Sequence, residues 1–390
     1  MRYRMDRKTN CELSVLGFGC MRLPKKGASI DQRAAEECMK YAIEKGVNYF
    51  DTAYIYPGSE VALGKFLAKG FRDKVYIATK LPPYMVKSLA DAERILNTQL
   101  ERLQTDRIDY YLMHMLPDTA VWRAMCGFGI EKWIEEKKQE GKIVRVGFSF
   151  HGSSEAFRAL VDIYDWDFCQ VQYNYLDENS QAGRRGIEYA QQKGLPVIIM
   201  EPLRGGRLAK LPPNAQAVWD NADRKLTAAQ WALRFVWNHS AVTTLLSGMN
   251  SVEQVEQNCA AADMSAPDSL TQEERALFDE VKKQLGVTNL IGCTGCGYCM
   301  PCGANVDIPG VFRCYNEIGC DGYFTAQKEY IMCTTLKRMP SYASLCQKCG
   351  ACKKKCPQGI DIPQELIRVK KKFEGVAQKT SRLAAHFMFK

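Results

Sequence analysis

The sequence predicts an α/β protein, a (β/α)8 barrel followed by a smaller, mostly helical, cysteine-rich domain. Three observations lead there. The chain has 390 residues and a mass of 44.1 kDa, room for one α/β barrel of about 250 residues and a second unit. Short β-branched or aromatic runs alternate with amphipathic, helix-length segments through residues 1–289, the pattern of parallel strands with helical crossovers. Eleven of the 17 cysteines lie between Cys293 and Cys356. The division falls near Gly286–Gly292, giving domains 1–285 and 286–390. Charge divides there too: residues 290–390 hold fifteen Lys and Arg against seven Asp and Glu, nearly all of the chain's net +9.

Taken in order, a short first strand is expected near Leu13–Gly17. A helix follows over Asp31–Lys45, then strands over Val47–Ala53 and Val75–Lys80. The next pairs are a helix at Ser88–Arg102 with a strand at Ile108–His114, and a helix at Ile130–Glu140 with a strand at Ile143–Ser149. After them come a helix at Ser153–Ile163, a strand at Phe168–Asn174, a helix at Gln181–Lys193 and a strand at Leu195–Glu201. A helix at Thr227–Asn238 and a strand at Val242–Gly248 complete eight units, and a charged helical stretch spans Thr271–Leu285. Asp31, Ser88, Ser153 and Thr227 open their helices with oxygens able to accept from free N–H groups. A doubly wound open sheet is the alternative. No G-x-G-x-x-G follows any strand, so the phosphate turn of that fold is absent.

No run of ~18 apolar residues exists, which excludes a transmembrane helix. Met1–Asn10 is polar and basic, without the apolar core of a secretory signal. The expected location is therefore the cytoplasm, where thiols stay reduced and clustered cysteines point to metal ligation rather than disulfides.

In such a barrel, chemistry collects where strands end. Those ends read Asp51, Lys80, His114, Ser149, Asn174, Glu201 and Ser247. Ionisable groups closing apolar strands are costly unless paired or used. Phe50-Asp51-Thr52-Ala53-Tyr54-Ile55-Tyr56, with Gly58-Ser59-Glu60 and Leu63-Gly64, resembles the signature of the aldo/keto reductase family. So do Ile77-Ala78-Thr79-Lys80 and Asp109-Tyr110-Tyr111-Leu112-Met113-His114. The resemblance spans roughly residues 10–262. It implies a barrel that binds a nicotinamide cofactor, NADH or NADPH, with Asp51, Tyr56, Lys80 and His114 as the catalytic tetrad. Reducing a carbonyl requires a proton from a positioned acid. Tyr56 would supply it, Lys80 would favour the phenolate, Asp51 would hold Lys80, and His114 would orient the carbonyl oxygen. Tyr54 is the alternative acid.

The same resemblance implies cofactor contacts. Ser149 and Gln170 match carboxamide-binding positions, with Phe150 where relatives carry Asn. Met200 stands where relatives stack an aromatic ring on the nicotinamide. Pro202-Leu203-Arg204-Gly205-Gly206 resembles the loop around the pyrophosphate, and Leu203 and Gly205 belong to it. Ser247, Gly248, Gln254 and Asn258 match the adenosine-phosphate site. No Lys or Arg lies between Ser247 and Asn258, so an NADP preference has no local support there. A strong preference for NADPH would require a basic residue elsewhere, such as Arg204 or Arg207.

The second domain holds two cysteine runs. Cys293, Cys296, Cys299 and Cys302 are spaced C-x2-C-x2-C-x2-C, and Cys346, Cys349, Cys352 and Cys356 are spaced C-x2-C-x2-C-x3-C-P. Each continues to a D-I-P triplet, Asp307-Ile308-Pro309 and Asp361-Ile362-Pro363, making an internal repeat. The second run matches the bacterial 4Fe–4S pattern, and the domain resembles a two-cluster ferredoxin. In that family the fourth cysteine serves the other cluster. Carried over, Cys293, Cys296, Cys299 and Cys356 hold one 4Fe–4S cluster, while Cys346, Cys349, Cys352 and Cys302 hold the second. Zinc is the rival, although its sites pair separated C-x2-C knuckles. Bound clusters would offset the basic charge, which makes nucleic-acid binding the weaker reading. Lys353–Lys355 and Lys370–Lys372 would dock an acidic redox partner or form a solvated face. The expected function is interconversion of a carbonyl compound and an alcohol with NAD(P)H. The alternatives are an electron-transfer protein whose barrel is a docking unit, or clusters with a purely structural role.

Overall fold

The computed structural model describes residues 1–285 and 290–388. Eight parallel strands close into a barrel: β1 (Leu16–Gly19), β2 (Tyr49–Asp51), β3 (Tyr76–Leu81), β4 (Ile108–Leu116), β5 (Ile143–Phe150), β6 (Phe168–Gln172), β7 (Val197–Met200) and β8 (Val242–Ser247). Each strand pairs with its sequence neighbours, and β8 closes onto β1. All eight expected strands are present. A hairpin of Tyr3–Asp6 and Cys11–Ser14 precedes them and delivers Leu13 into the barrel interior, an element the local pattern does not announce. Tyr49, Tyr110 and Phe168 fill that interior edge to face, with ring centroids 5.1 and 5.0 Å apart.

The barrel helices are α1 (Gln32–Glu44), α2 (Ser59–Leu67), α3 (Leu89–Leu103), α4 (Thr119–Cys126), α5 (Ile130–Gln139), α6 (Ser154–Ile163), α7 (Gly183–Gln192), α8 (Pro213–Asp220), α9 (Ala228–Trp237), α10 (Val252–Asp263) and α11 (Gln272–Gln284). Asp31, Ser88, Ser153 and Thr227 cap α1, α3, α6 and α9 through their side chains, as expected. Three short helices, α2, α4 and α8, occupy loops where no helix was expected, because eight or nine residues give little room for a periodic signal.

The predicted boundary begins in residues 286–289, which lie outside the described residues. Beyond it are α12 (Ile308–Asn316), α13 (Ile318–Asp321), α14 (Tyr323–Thr334), α15 (Ala351–Lys355), α16 (Ile362–Phe373) and α17 (Val376–Met388). The last closes the described chain as a thirteen-residue helix. This region builds its own core from Val306, Val311, Phe312, Tyr330, Leu366 and Phe373. The repeat is visible as structure. Asp307 and Asp361 cap α12 and α16 with a proline in each first turn, and Ile308 and Ile362 both turn into that core. Among the described residues no helix is long and apolar enough to cross a membrane.

Candidate active site at the barrel mouth

The ends of β2, β3 and β4 bring together Asp51, Lys80 and His114, all buried, and Tyr56 lies on the turn after β2. The Lys80 ammonium donates to Asp51 Oδ1 at 2.6 Å and to the Thr52 carbonyl at 2.7 Å. It stands 5.1 Å from the centre of the Tyr56 ring. The Tyr56 and His114 rings meet edge to face at 6.1 Å. Four side chains that are 63 residues apart at their extremes in sequence thus share one site. Tyr54 is turned elsewhere: the Arg102 guanidinium lies over its ring at 4.7 Å.

Burial governs the electrostatics. It is the largest influence on Lys80 and favours the neutral amine. Asp51 and Tyr56 outweigh it, and the Lys80 pKa stays above its ordinary value. Burial likewise holds the Tyr56 phenol above its usual range, with Lys80 pulling it down and Asp51 adding to the rise. The expected Lys80 effect therefore has the expected sign but is outweighed, and Tyr56 keeps its proton near neutrality. Burial, then Lys80 and His151, push the His114 pKa well below 6.5. His114 is a neutral imidazole, and its Nδ1 has no hydrogen-bond partner.

Ser149 and Gln170 are register partners on β5 and β6, so their side chains emerge side by side. Ser149 Oγ accepts from the Met115 N–H at 2.8 Å. Gln170 donates to the Met200 sulfur at 3.7 Å, and its buried Oε1 has no partner. Phe150 packs against Phe157 of α6 at 5.2 Å. The loop after β7 holds Glu201, Arg204, Gly205 and Gly206 at positive φ (56°, 47°, 72° and 95°). Two adjacent glycines make that path affordable, since a Cβ strains such conformations. Pro202 and Leu203 lead into the turn, and the Gly206 and Leu208 N–H groups donate to the Leu203 carbonyl. From the middle of α10, Asn258 donates to Ser247 Oγ at 3.0 Å, and in its first turn Gln254 accepts from the Asn250 N–H at 3.0 Å. Gly248 is exposed beside them.

The sequence reading overlooked Arg22. Its guanidinium approaches within 3.0 Å of where a Gly205 Cβ would stand, and its Cβ lies 3.4 Å from that position at Gly248. It is exposed, with no carboxylate partner among the described residues. Arg22 thus lies between the loop after β7 and the turn after β8. Its sequence neighbourhood, after β1, held no motif to mark it. Arg204 and Arg207, the basic alternatives, prove to be occupied. Arg204 pairs with Asp177 at 3.2 Å, Glu317 at 2.5 Å and Asp321 at 2.7 Å, and Arg207 pairs with Asp321 at 2.8 Å.

The cysteine-rich region reaches the same mouth. Arg313 on α12 and Glu329 on α14 are paired at 3.1 Å. His151 lies within electrostatic reach of His114, Glu201 and Glu329. A cleft of about 570 Å³ runs between the start of α6, the loop before α7 and the Cys293–Gly297 segment. None of the four tetrad candidates lines it, and the buried ion pair marks the chemical centre better than cavity size. Among the cysteines, Cys293 feels Cys296 and Cys356, Cys299 feels Cys293, Cys296 and Cys352, and Cys352 feels Cys346 and Cys302. Among the described residues, no three His, Cys, Asp or Glu side chains converge to hold a single metal ion. Cys314 and Cys333 are buried thiols, each 3.6 Å from Arg313 Nη2.

A model of the aldo/keto reductase family matches residues 15–283, ending before the first cysteine run. A methylglyoxal reductase of Escherichia coli is 30% identical over 270 residues, covering 65% of this chain and 87% of its own. The aldo-keto reductase of Bacillus halodurans, in its holo form, superposes with a TM-score of 0.59 at 28% identity, over 72% of this chain and 96% of its own. An aldo-keto reductase of Klebsiella pneumoniae in complex with NADPH gives 0.58 at 26% identity, over 72% and 95%.

Proposed function

Because the chain belongs to the aldo/keto reductase family and is an NAD(P)-dependent oxidoreductase, we propose that it interconverts a carbonyl compound and an alcohol with Asp51, Tyr56, Lys80 and His114 as its catalytic tetrad. The observation that carries this reading is the Lys80–Asp51 pair at 2.6 Å, buried against Tyr56 and His114. Removing one partner of a buried ion pair costs ~3–5 kcal/mol, so such a pair persists where its charge is used. The nicotinamide, when bound, supplies hydride to the carbonyl carbon. Tyr56 donates its proton to the carbonyl oxygen, and Lys80 stabilises the phenolate left behind. Asp51 holds the ammonium in place. Neutral His114 donates an N–H to that oxygen and sets it against the phenol.

The residues fit the cofactor. The orphaned Oε1 of Gln170 and the hydroxyl of Ser149 suit a carboxamide, and Met200, in contact with Gln170, would border the nicotinamide. The Gly205–Gly206 turn lets backbone N–H groups approach phosphates, and the turn Ser247–Asn250 leads into the N-terminus of α10, an anion-friendly end. Arg22 joins those two segments. Charge-assisted hydrogen bonds carry ~1.5–3 kcal/mol, so Arg22→Ala should raise the Kd of the dinucleotide about tenfold or more. Fluorescence titration with NADH and NADPH measures it, and an unchanged Kd would remove Arg22 from the site.

The two cysteine runs fit 4Fe–4S clusters. Cys293 feels Cys356 and Cys352 feels Cys302, in keeping with the exchange of a two-cluster ferredoxin pattern, and Cys299 also feels Cys352. The clusters supply one-electron chemistry or structural support. Lys354, Lys355 and Lys370–Lys372 are exposed and available to an acidic redox partner.

The overall test is an anaerobic screen of aldehydes, ketones and sugars with both reduced cofactors. Absence of cofactor oxidation with every carbonyl class would overturn the proposal. A neutral His114 has a further consequence. The pH profile of kcat/KM should show no limb near the ordinary histidine value of about 6.5. A limb there that disappears in His114→Gln would contradict the neutral imidazole.

A further inference from the structure

We infer that the cysteine-rich domain forms part of the nucleotide site, with Glu317 and Asp321 as positioning residues that clamp the loop after β7. The inference rests on the proposed role of the loop Pro202–Gly206 in holding the dinucleotide phosphates. Arg204 is only 10% exposed and turns away from solvent into three carboxylates. Asp177 belongs to the barrel, but Glu317, just after α12, and Asp321, ending α13, come from the second domain. Arg207 adds a second tie, to Asp321 at 2.8 Å and to Thr325 Oγ1 at 3.0 Å. Arg313 pairs with Glu317 from the other side, so the clamp is anchored in the α12–α14 core.

The physical need for a clamp is local. Arg204, Gly205 and Gly206 run at φ of 47°, 72° and 95°, a path with little stiffness of its own. A loop that orders only on binding loses affinity to its own entropy, and ties made beforehand remove that loss. Arg204 and Arg207 therefore act through the loop's backbone rather than by touching phosphate. Of the three carboxylates around Arg204, the barrel supplies Asp177, from the loop after β6.

The experiment uses the full chain, purified anaerobically. Glu317→Gln with Asp321→Asn keeps shape and removes both charges. The Kd for NADPH and NADH should rise about tenfold, and the nucleotide KM should rise with it, while the carbonyl KM does not move. Arg207→Ala, at a half-exposed side chain, should give a smaller rise in the same direction and stands in if the double variant fails to fold. Gly206→Val, strained at φ 95°, serves as the probe of the loop itself. Nucleotide Kd values within twofold of wild type in the clamp variants, alongside a raised Kd in Gly206→Val, overturn the clamp and keep the loop's role. If Gly206→Val also leaves Kd unchanged, the loop does not hold the nucleotide, and the clamp falls with it.

Discussion

Tyr56→Phe should lower kcat by ~10²–10⁴-fold, the contribution of a positioned general acid, while the dinucleotide Kd stays near wild type. Only the hydroxyl is removed. The ring keeps its edge contact with His114 at 6.1 Å and its place beside the Lys80 ammonium, so the fold and the ion pair below it are not disturbed. Burial keeps the phenol protonated, and a protonated phenol is the form that can donate. Lys80 makes the resulting phenolate tolerable by the same charge that lowers the phenol's pKa against burial. Steady-state turnover with the best carbonyl found, measured beside a nucleotide titration, checks this. Retention of more than about a tenth of kcat would be inconsistent with general acid catalysis by this residue, and would reopen the choice of proton donor.

Anaerobically purified wild-type protein should contain about eight irons and as much sulfide per chain, two four-iron clusters. Cys356→Ser should reduce this to about four. The serine sits in the second run by sequence, yet the cluster lost should be that of Cys293, Cys296 and Cys299, since Cys293 feels the charge of Cys356. Low-temperature EPR after dithionite separates the two clusters. NADH alone should leave both oxidised, because a nicotinamide releases a hydride, two electrons together, and each cluster accepts one. Bridging the two normally requires a flavin. Full iron content in Cys356→Ser would refute the exchanged pairing. Rapid reduction by NADH without flavin or partner would refute the isolation of the clusters from the hydride chemistry.

The barrel was legible because its signals are local. Asp31, Ser88, Ser153 and Thr227 cap the helices they precede, and each of the eight strands carries its own apolar run. The cysteine spacings and the two D-I-P helix starts were equally local, a few residues each. Short elements escaped, among them α2, α4, α8 and the plug hairpin, where too few residues carry a period.

By itself, the sequence determined the eight strand–helix units, the residue types at the strand ends and the two cysteine runs. Tertiary structure alone decided what those residues face. It set Lys80 beside the Tyr56 ring and Arg102 over that of Tyr54. It let burial outweigh Lys80 at the phenol, a balance no spacing encodes. It gave Arg204 to carboxylates 113 and 117 residues away, and left Arg22 facing the loop after β7. The reason is that capping and periodicity are set within a turn or two of chain, whereas charge pairing and desolvation depend on which distant surfaces the closed barrel and the second core bring into contact.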